Sequence, residues 1–173
     1  MRPILAALTA LTQLAAGAAS AGEVFVGAYA HDVHVFAISG FEHGAEISAG
    51  YRTDPLSGLG AIGHPSVYGF GAANTAGGVD YAAAGLSWKI GSRFFLRPGL
   101  GVAVHDGRVG RFQVGNQLNL GSRVLAELEL GAGYQFTPST SLEASLVHLS
   151  HGQLAGHQNP GLDDLGLRLT HRF

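Results

Sequence analysis

Cysteine is absent from the 173 residues, which removes disulfides and thiolate metal sites from consideration. Charge is scarce: 13% of the residues are Asp, Glu, Lys or Arg, against roughly 25% in an ordinary soluble domain. The formal charge of −2 offers no basic surface for nucleic acid. Long apolar runs are missing as well. Beyond residue 21 no stretch approaches the roughly 20 apolar residues that a membrane helix requires. The 27 glycines argue against long helices of any kind, because each costs about 1 kcal/mol inside one. Yet 46% of the chain is hydrophobic. A chain that is apolar, poor in charge and free of long apolar runs is either a soluble β-sandwich or a barrel alternating lipid-facing and lumen-facing residues.

The first 21 residues read differently from the rest. Arg2 is their single charge, Ile4 to Ala16 is apolar but for Thr and Gln, and Ala19-Ser20-Ala21 ends the segment. This is the pattern of a signal peptide with a small-x-small cleavage site, too short for a membrane span. Cleavage between Ala21 and Gly22 leaves residues 22–173 as one barrel domain with a charge of −3, since Arg2 leaves with the leader. Export is therefore expected.

Alternation decides the fold class. Between Ser122 and Phe136 the even positions are Val124, Ala126, Leu128, Leu130, Ala132, Tyr134 and Phe136, whereas the odd positions include Arg123, Glu127, Glu129 and Gln135. A two-residue period with one apolar face is a β-strand. Ser141 to Ser150 follows after a turn at Thr137-Pro138-Ser139-Thr140, with Leu142, Ala144 and Leu146 opposite Ser141, Glu143 and Ser145. The last segment, Asp163 to Phe173, places Leu165, Leu167, Leu169, His171 and Phe173 opposite Arg168, Thr170 and Arg172. A terminal Phe on an alternating strand resembles the insertion signal of outer-membrane barrels, with His171 at a position where an aromatic is usual. Weaker segments lie at about 23–31, 42–52, 65–73, 80–90 and 93–105. The total is eight, an allowed even number, and predicts an all-β, eight-stranded antiparallel transmembrane barrel of the bacterial outer membrane.

Connection lengths fit this reading. Gly91-Ser92 and Thr137 to Thr140 are short, while Thr53 to His64, Asp106 to Gly121 and His151 to Leu162 are long, which predicts that the long ones are external loops. With periplasmic termini, strand seven ends externally at His148 and Ser150, and strand eight starts beside it at Asp163. The lumen of so narrow a barrel is filled by side chains, and Glu46, Glu127, Glu129, Glu143, Lys89, Arg97 and Arg168 are its expected charged network. Trp88 and Tyr134 read as anchors at a membrane interface.

Parity brings three chemistry-bearing residues together. His148 and Ser150 continue the lipid face of Leu142, Ala144 and Leu146, and in strand eight Asp163 points outward while Asp164 points inward. Serine is a poor nucleophile until an imidazole accepts its proton, and a carboxylate orients that imidazole. Polar residues facing hydrocarbon are costly without a role, which suggests a substrate that is itself a membrane lipid.

The run His148-Leu149-Ser150-His151-Gly152-Gln153-Leu154, followed by Asn159-Pro160-Gly161-Leu162-Asp163, resembles the last hairpin of the PagL family of lipid A 3-O-deacylases. The resemblance is specific over about 148–173, diffuse back to Phe95, and architectural before that. It implies a serine esterase that hydrolyses the ester-linked acyl chain at the 3 position of lipid A, with lipopolysaccharide in the outer leaflet as substrate. It further implies Ser150 as nucleophile, His148 as base and Asp163 where the best-known members have glutamate. The family often has Asn after the nucleophile to help hold the oxyanion. Here His151 stands there, so His151 and Gly152 are the oxyanion candidates. No cofactor is implied, because serine, histidine and a carboxylate suffice for ester hydrolysis. A homodimer is left open.

Other constellations fare worse. His148, His151 and His157 do not make a zinc site, because 148 and 151 take opposite strand faces and no Glu or thiolate joins them. Asp163 and Asp164 also take opposite faces and lack the further oxygen ligands of a calcium site. Gly58-Leu59-Gly60 has no strand–loop–helix context for phosphate. The rival functions are a non-catalytic outer-membrane barrel that tethers the envelope or binds partners through its loops, and a soluble periplasmic β-protein.

Overall fold

The computed structural model describes residues 22–38, 40–110, 117–152 and 159–173. The leader expected over 1–21 and His157 therefore lie outside the described residues. Eight main strands follow one another: β1 (Gly22–Ala30), β2 (Ala45–Thr53), β3 (Ser66–Asn74), β4 (Tyr81–Ser87, resuming at Ile90–Gly91), β5 (Phe94–His105), β6 (Val124–Thr137), β7 (Thr140–Ser150) and β8 (Leu162–Arg172). Each pairs antiparallel with its neighbours in sequence, and β1 pairs with β8, which closes the sheet and removes its edges. The expected eight-stranded barrel is the observed one. Strand ends differ from the expected bounds by up to three residues, most at β2, where Glu42, His43 and Gly44 belong to the preceding loop.

Exposed Val26, Ile47, Leu100, Val102, Leu128, Leu130, Leu167 and Leu169 make the outer wall apolar. Withdrawing each such side chain from water is worth about 1.5–3 kcal/mol, so this belt suits hydrocarbon. Phe94, Tyr134 and Phe136 pack edge to face, with ring centroids 4.8 and 5.1 Å apart, near the end that carries the β6–β7 turn. Such an aromatic group marks a membrane interface.

The interior carries the charges. Arg52 pairs with Glu23 and Glu129, Arg97 with Glu23 and Glu143, and Arg168 with Glu129 and Glu143, all within 3.1 Å. The guanidinium groups of Arg168 and Arg52 also lie 4.6 and 4.9 Å from the Phe25 ring centroid. Signs cancel within this set, which is what makes burial of so many ions tolerable. Two members were not foreseen, Glu23 and Arg52, because their strands alternate weakly. Lys89 keeps the expected lumenal side but lies exposed at the barrel end, outside these ion pairs: its Nζ stands 4.4 Å from the Phe95 ring centroid and bonds Gln135 at 2.6 Å. It lies in the short stretch between the two parts of β4. Glu127 bonds the Tyr68 hydroxyl, and Glu46 belongs to a separate cluster near the opposite end.

The external placement of Thr53 to His64 is also corrected. The Trp88 indole donates to the Ile62 carbonyl at 2.7 Å, and Arg172 pairs with Asp54 at 2.6 Å. This segment, with a short 3₁₀ helix at Ser57–Ile62, therefore sits with the chain termini and the β4–β5 turn. In an up-and-down barrel the side of a connection follows from its ordinal number, and length does not override that.

Candidate active site

At the opposite end from that helix, β7 and β8 form the last hairpin. His148 and Asp163 are direct cross-strand partners, as are Val147 and Asp164. Directly opposed residues share a face, so His148 and Asp163 point one way while Asp164 turns into the lumen. Ser150 lies two residues beyond His148 and shares its face. The sequence parity had grouped these three residues, and the register brings them into contact.

The distances form a continuous chain. His148 Nδ1 lies 2.6 Å from Asp163 Oδ1, and His148 Nε2 lies 3.1 Å from Ser150 Oγ. A carboxylate only accepts, so the proton of the neutral imidazole sits on Nδ1. Nε2 is then an acceptor, and the Ser150 hydroxyl donates to it. Aspartate is one methylene shorter than glutamate, but a direct cross-strand position makes the shorter side chain long enough.

Asp163 departs from the expected lipid-facing wall in one respect. Its side chain is 0% exposed, against 16% for His148. The loop after β1 covers it. Val35, Phe36 and Ala37 all donate their N–H groups to Asp163 Oδ2, at 3.1, 2.5 and 2.7 Å. Val33 N–H bonds the Asp163 carbonyl at 2.9 Å, and Ile38 N–H bonds the Pro160 carbonyl at 2.8 Å. Consecutive amides converging on one oxygen make an anion nest. One carboxylate oxygen is thus fixed by the loop, and the other is left for His148. The Phe36 ring packs edge-on against the imidazole, with centroids 5.9 Å apart.

The loop has its own anchor. Asp32 Oδ2 accepts N–H groups of Gly40, Phe41 and Glu42 at 3.1, 2.8 and 2.9 Å, which ties residues 40–42 back to the start of the loop. Gly161 supports the site from the other side. Its φ is +76°, and a Cβ there would stand 3.1 Å from Ala37 Cβ and 3.2 Å from His148 Cε1. Sequence reading missed this loop. Its signal was Asp32 followed by apolar Val33, Val35, Phe36, Ala37 and Ile38 in a connection that should be polar.

The oxyanion candidates fare differently. The His151 N–H already bonds Asn159 Oδ1 at 3.1 Å, so it is not available in this arrangement. Gly152 follows with φ +55° and open space where a side chain would be. The rejected calcium pair is separated as expected, with Asp163 on His148 and Asp164 on the lumenal His31.

Residues 53–172 match the family model described as lipid A 3-O-deacylase (PagL). Among solved structures, a crystal structure of the outer-membrane enzyme PagL superposes with a TM-score of 0.65 at 20% identity, covering 87% of this chain and 99% of that one. A de novo designed transmembrane β-barrel gives a TM-score of 0.51 at 10% identity over 89% of this chain and 96% of its own. At these identities the two structures establish the fold alone. No curated protein matches the chain in sequence.

Proposed function

Because the chain belongs to the PagL family of lipid A 3-O-deacylases, we propose that it cleaves its ester through a Ser150–His148–Asp163 triad. The protein is an outer-membrane hydrolase that removes the 3-position acyl chain of lipid A, so the tethering alternative is not favoured. The observation that carries the mechanism is the unbroken hydrogen-bond chain from Asp163 through His148 to Ser150, 2.6 and 3.1 Å long.

The chemistry follows from that chain. Ser150 Oγ attacks the ester carbonyl carbon while its proton passes to His148 Nε2. Asp163 stabilises the imidazolium that forms, and the loop amides hold Asp163 in place. Collapse of the tetrahedral intermediate breaks the bond to the sugar 3-oxygen, which takes the proton from His148. Water, deprotonated by the same imidazole, then releases the fatty acid from Ser150. The Gly152 N–H is the proposed oxyanion donor, since His151 N–H is committed to Asn159. No cofactor enters these steps. Residues 1–21 are read as a leader removed before Gly22, from their apolar run and the small residues Ala19-Ser20-Ala21 that end it. The homodimer has no support in the fold or the relatives.

A fluorophosphonate that reacts with activated serines tests the nucleophile. The expected result is one adduct on Ser150, lost in His148→Ala. An enzyme that stays active and unlabelled, or is inactivated through a different serine, would overturn the assignment.

A further inference from the structure

Behind the triad, on the lumenal side of the same barrel end, lies a second cluster that the esterase chemistry does not use. His31, just past the end of β1, faces Glu46 of β2 and Asp164 of β8. Its Nδ1 lies 3.2 Å from Glu46 Oε2 and 3.0 Å from Asp164 Oδ1, and all three side chains are 0–1% exposed. One ligand atom from each residue falls within 4.8 Å of the other two. Among the described residues, no lysine or arginine pairs with Glu46 or Asp164.

Hydrogen bonding alone does not satisfy this cluster. One proton on Nδ1 can point at one carboxylate only, and Nδ1 together with both oxygens of Glu46 lacks a partner of good geometry. An unpaired buried carboxylate is expensive. Both Glu46 oxygens are buried and neither makes a hydrogen bond of good geometry, Oε2 having only the 3.2 Å approach of His31 Nδ1. The electrostatic balance is also poor: Glu42, Glu46 and Asp164 surround a single imidazole, which leaves net negative charge in the barrel even when the ring is protonated.

We propose that His31, Glu46 and Asp164 bind a divalent transition-metal ion, best matched by zinc, through His31 Nδ1 and one oxygen of each carboxylate. Ligands bonded to zinc at roughly 2.0–2.1 Å sit about 3.3 Å apart at tetrahedral angles, close to the 3.2 and 3.0 Å that separate His31 Nδ1 from the two carboxylate oxygens. A nitrogen ligand disfavours calcium and magnesium, which take oxygen. Supporting contacts of the kind that metal ligands use are in place. His31 Nε2 pairs with Glu42 Oε2 at 3.1 Å, and Glu42 is in turn held by the N–H groups of Val79 and Leu118. Tyr81 donates its hydroxyl to Asp164 Oδ2 at 2.9 Å.

The competitor for Nδ1 is a proton. Burial opposes charge on His31, but hydrogen bonds with Asp164, Glu42 and Glu46 outweigh it and push its pKa up to about 11. Metal binding replaces that proton and contacts both carboxylates at once. It also fixes the start of β8 next to Asp163 and the start of the loop that covers Asp163, giving the ion a structural place beside the triad.

The test uses the mature protein folded in detergent, stripped with chelator, equilibrated with zinc chloride and desalted, with metal counted by mass spectrometry. About one zinc per chain is expected. The count should fall at least tenfold in Glu46→Gln and His31→Gln, and stay unchanged in Ser150→Ala, so the site stands or falls independently of the nucleophile. Should a variant fail to fold, cobalt(II) added to wild type serves instead: visible d–d bands are expected, and equimolar zinc should bleach them. Wild type that retains less than a tenth of a zinc per chain and gives no cobalt spectrum, or Glu46→Gln that binds as wild type does, overturns the proposal and leaves His31 a buried imidazolium.

Discussion

Asp163 and Phe36 are 127 residues apart in sequence, yet the Phe36 amide lies 2.5 Å from Asp163 Oδ2. With Val35 and Ala37 it fixes that oxygen as an acceptor, so the role of the other oxygen is also fixed. Replacing Asp163 with Asn forces the amide NH₂ toward His148 Nδ1, because the remaining oxygen is claimed by the loop. The imidazole then carries its proton on Nε2 and cannot accept from Ser150. Asp163→Asn should lower kcat by about 10⁴-fold with the barrel folded, as measured by release of 3-hydroxy fatty acid. Asp163→Glu restores the charge but adds a methylene to a fully buried side chain held at both oxygens, and should retain roughly a hundredth of the activity.

Asp32 is the remote counterpart of this arrangement. Its carboxylate holds the far side of the loop, and its φ of +53° is one that glycine adopts freely. Asp32→Gly therefore removes the anchor without adding backbone strain. Activity should drop by about 10–100-fold through misplacement of Asp163. Heat-modifiable migration on gels should still report a closed barrel.

Gly161 tests the packing beneath the histidine. Alanine there meets His148 Cε1 and Ala37 Cβ and strains a left-handed residue. Gly161→Ala should reduce kcat far more than it raises KM, since it displaces the base. Equal losses in a variant that no longer folds would instead mark a structural role, so folding is measured in parallel.

The interior makes a separate prediction. Arg168 is paired with Glu129 and Glu143, and Arg168→Met leaves two carboxylates short of a counter-charge. Unfolding by urea in lipid vesicles should show a loss of about 3–5 kcal/mol. Arg172→Met, whose pair with Asp54 is exposed, should change stability little.

The sequence made the barrel and the grouping of His148, Ser150 and Asp163 legible for one reason. Strand periodicity is local, and side chains two apart share a face whatever surrounds them. Parity assigned His148 and Asp163 to one face, but the register that sets them directly opposite each other is seen only in the structure. The apolar run from Val33 to Ile38 marked the covering loop as unusual, but its role rests on contacts between residues 35–37 and 163 that no local pattern encodes. His31 was missed for the same reason. It meets Glu46 and Asp164 only when the sheet closes. Lys89 was read onto the lumenal side, but its position at the barrel end leaves it on Phe95 and Gln135 and outside the ion-pair network. The length of Thr53 to His64 misled because strand order alone decides which side a connection takes.

Ser150, activated by His148, is the proposed nucleophile. It is tested most directly by mass spectrometry of lipid A from cells producing wild type or Ser150→Ala at equal outer-membrane levels. Wild type should yield lipid A lacking its 3-position acyl chain, and Ser150→Ala should leave lipid A intact. Deacylation by the Ser150→Ala protein at the wild-type level would contradict it.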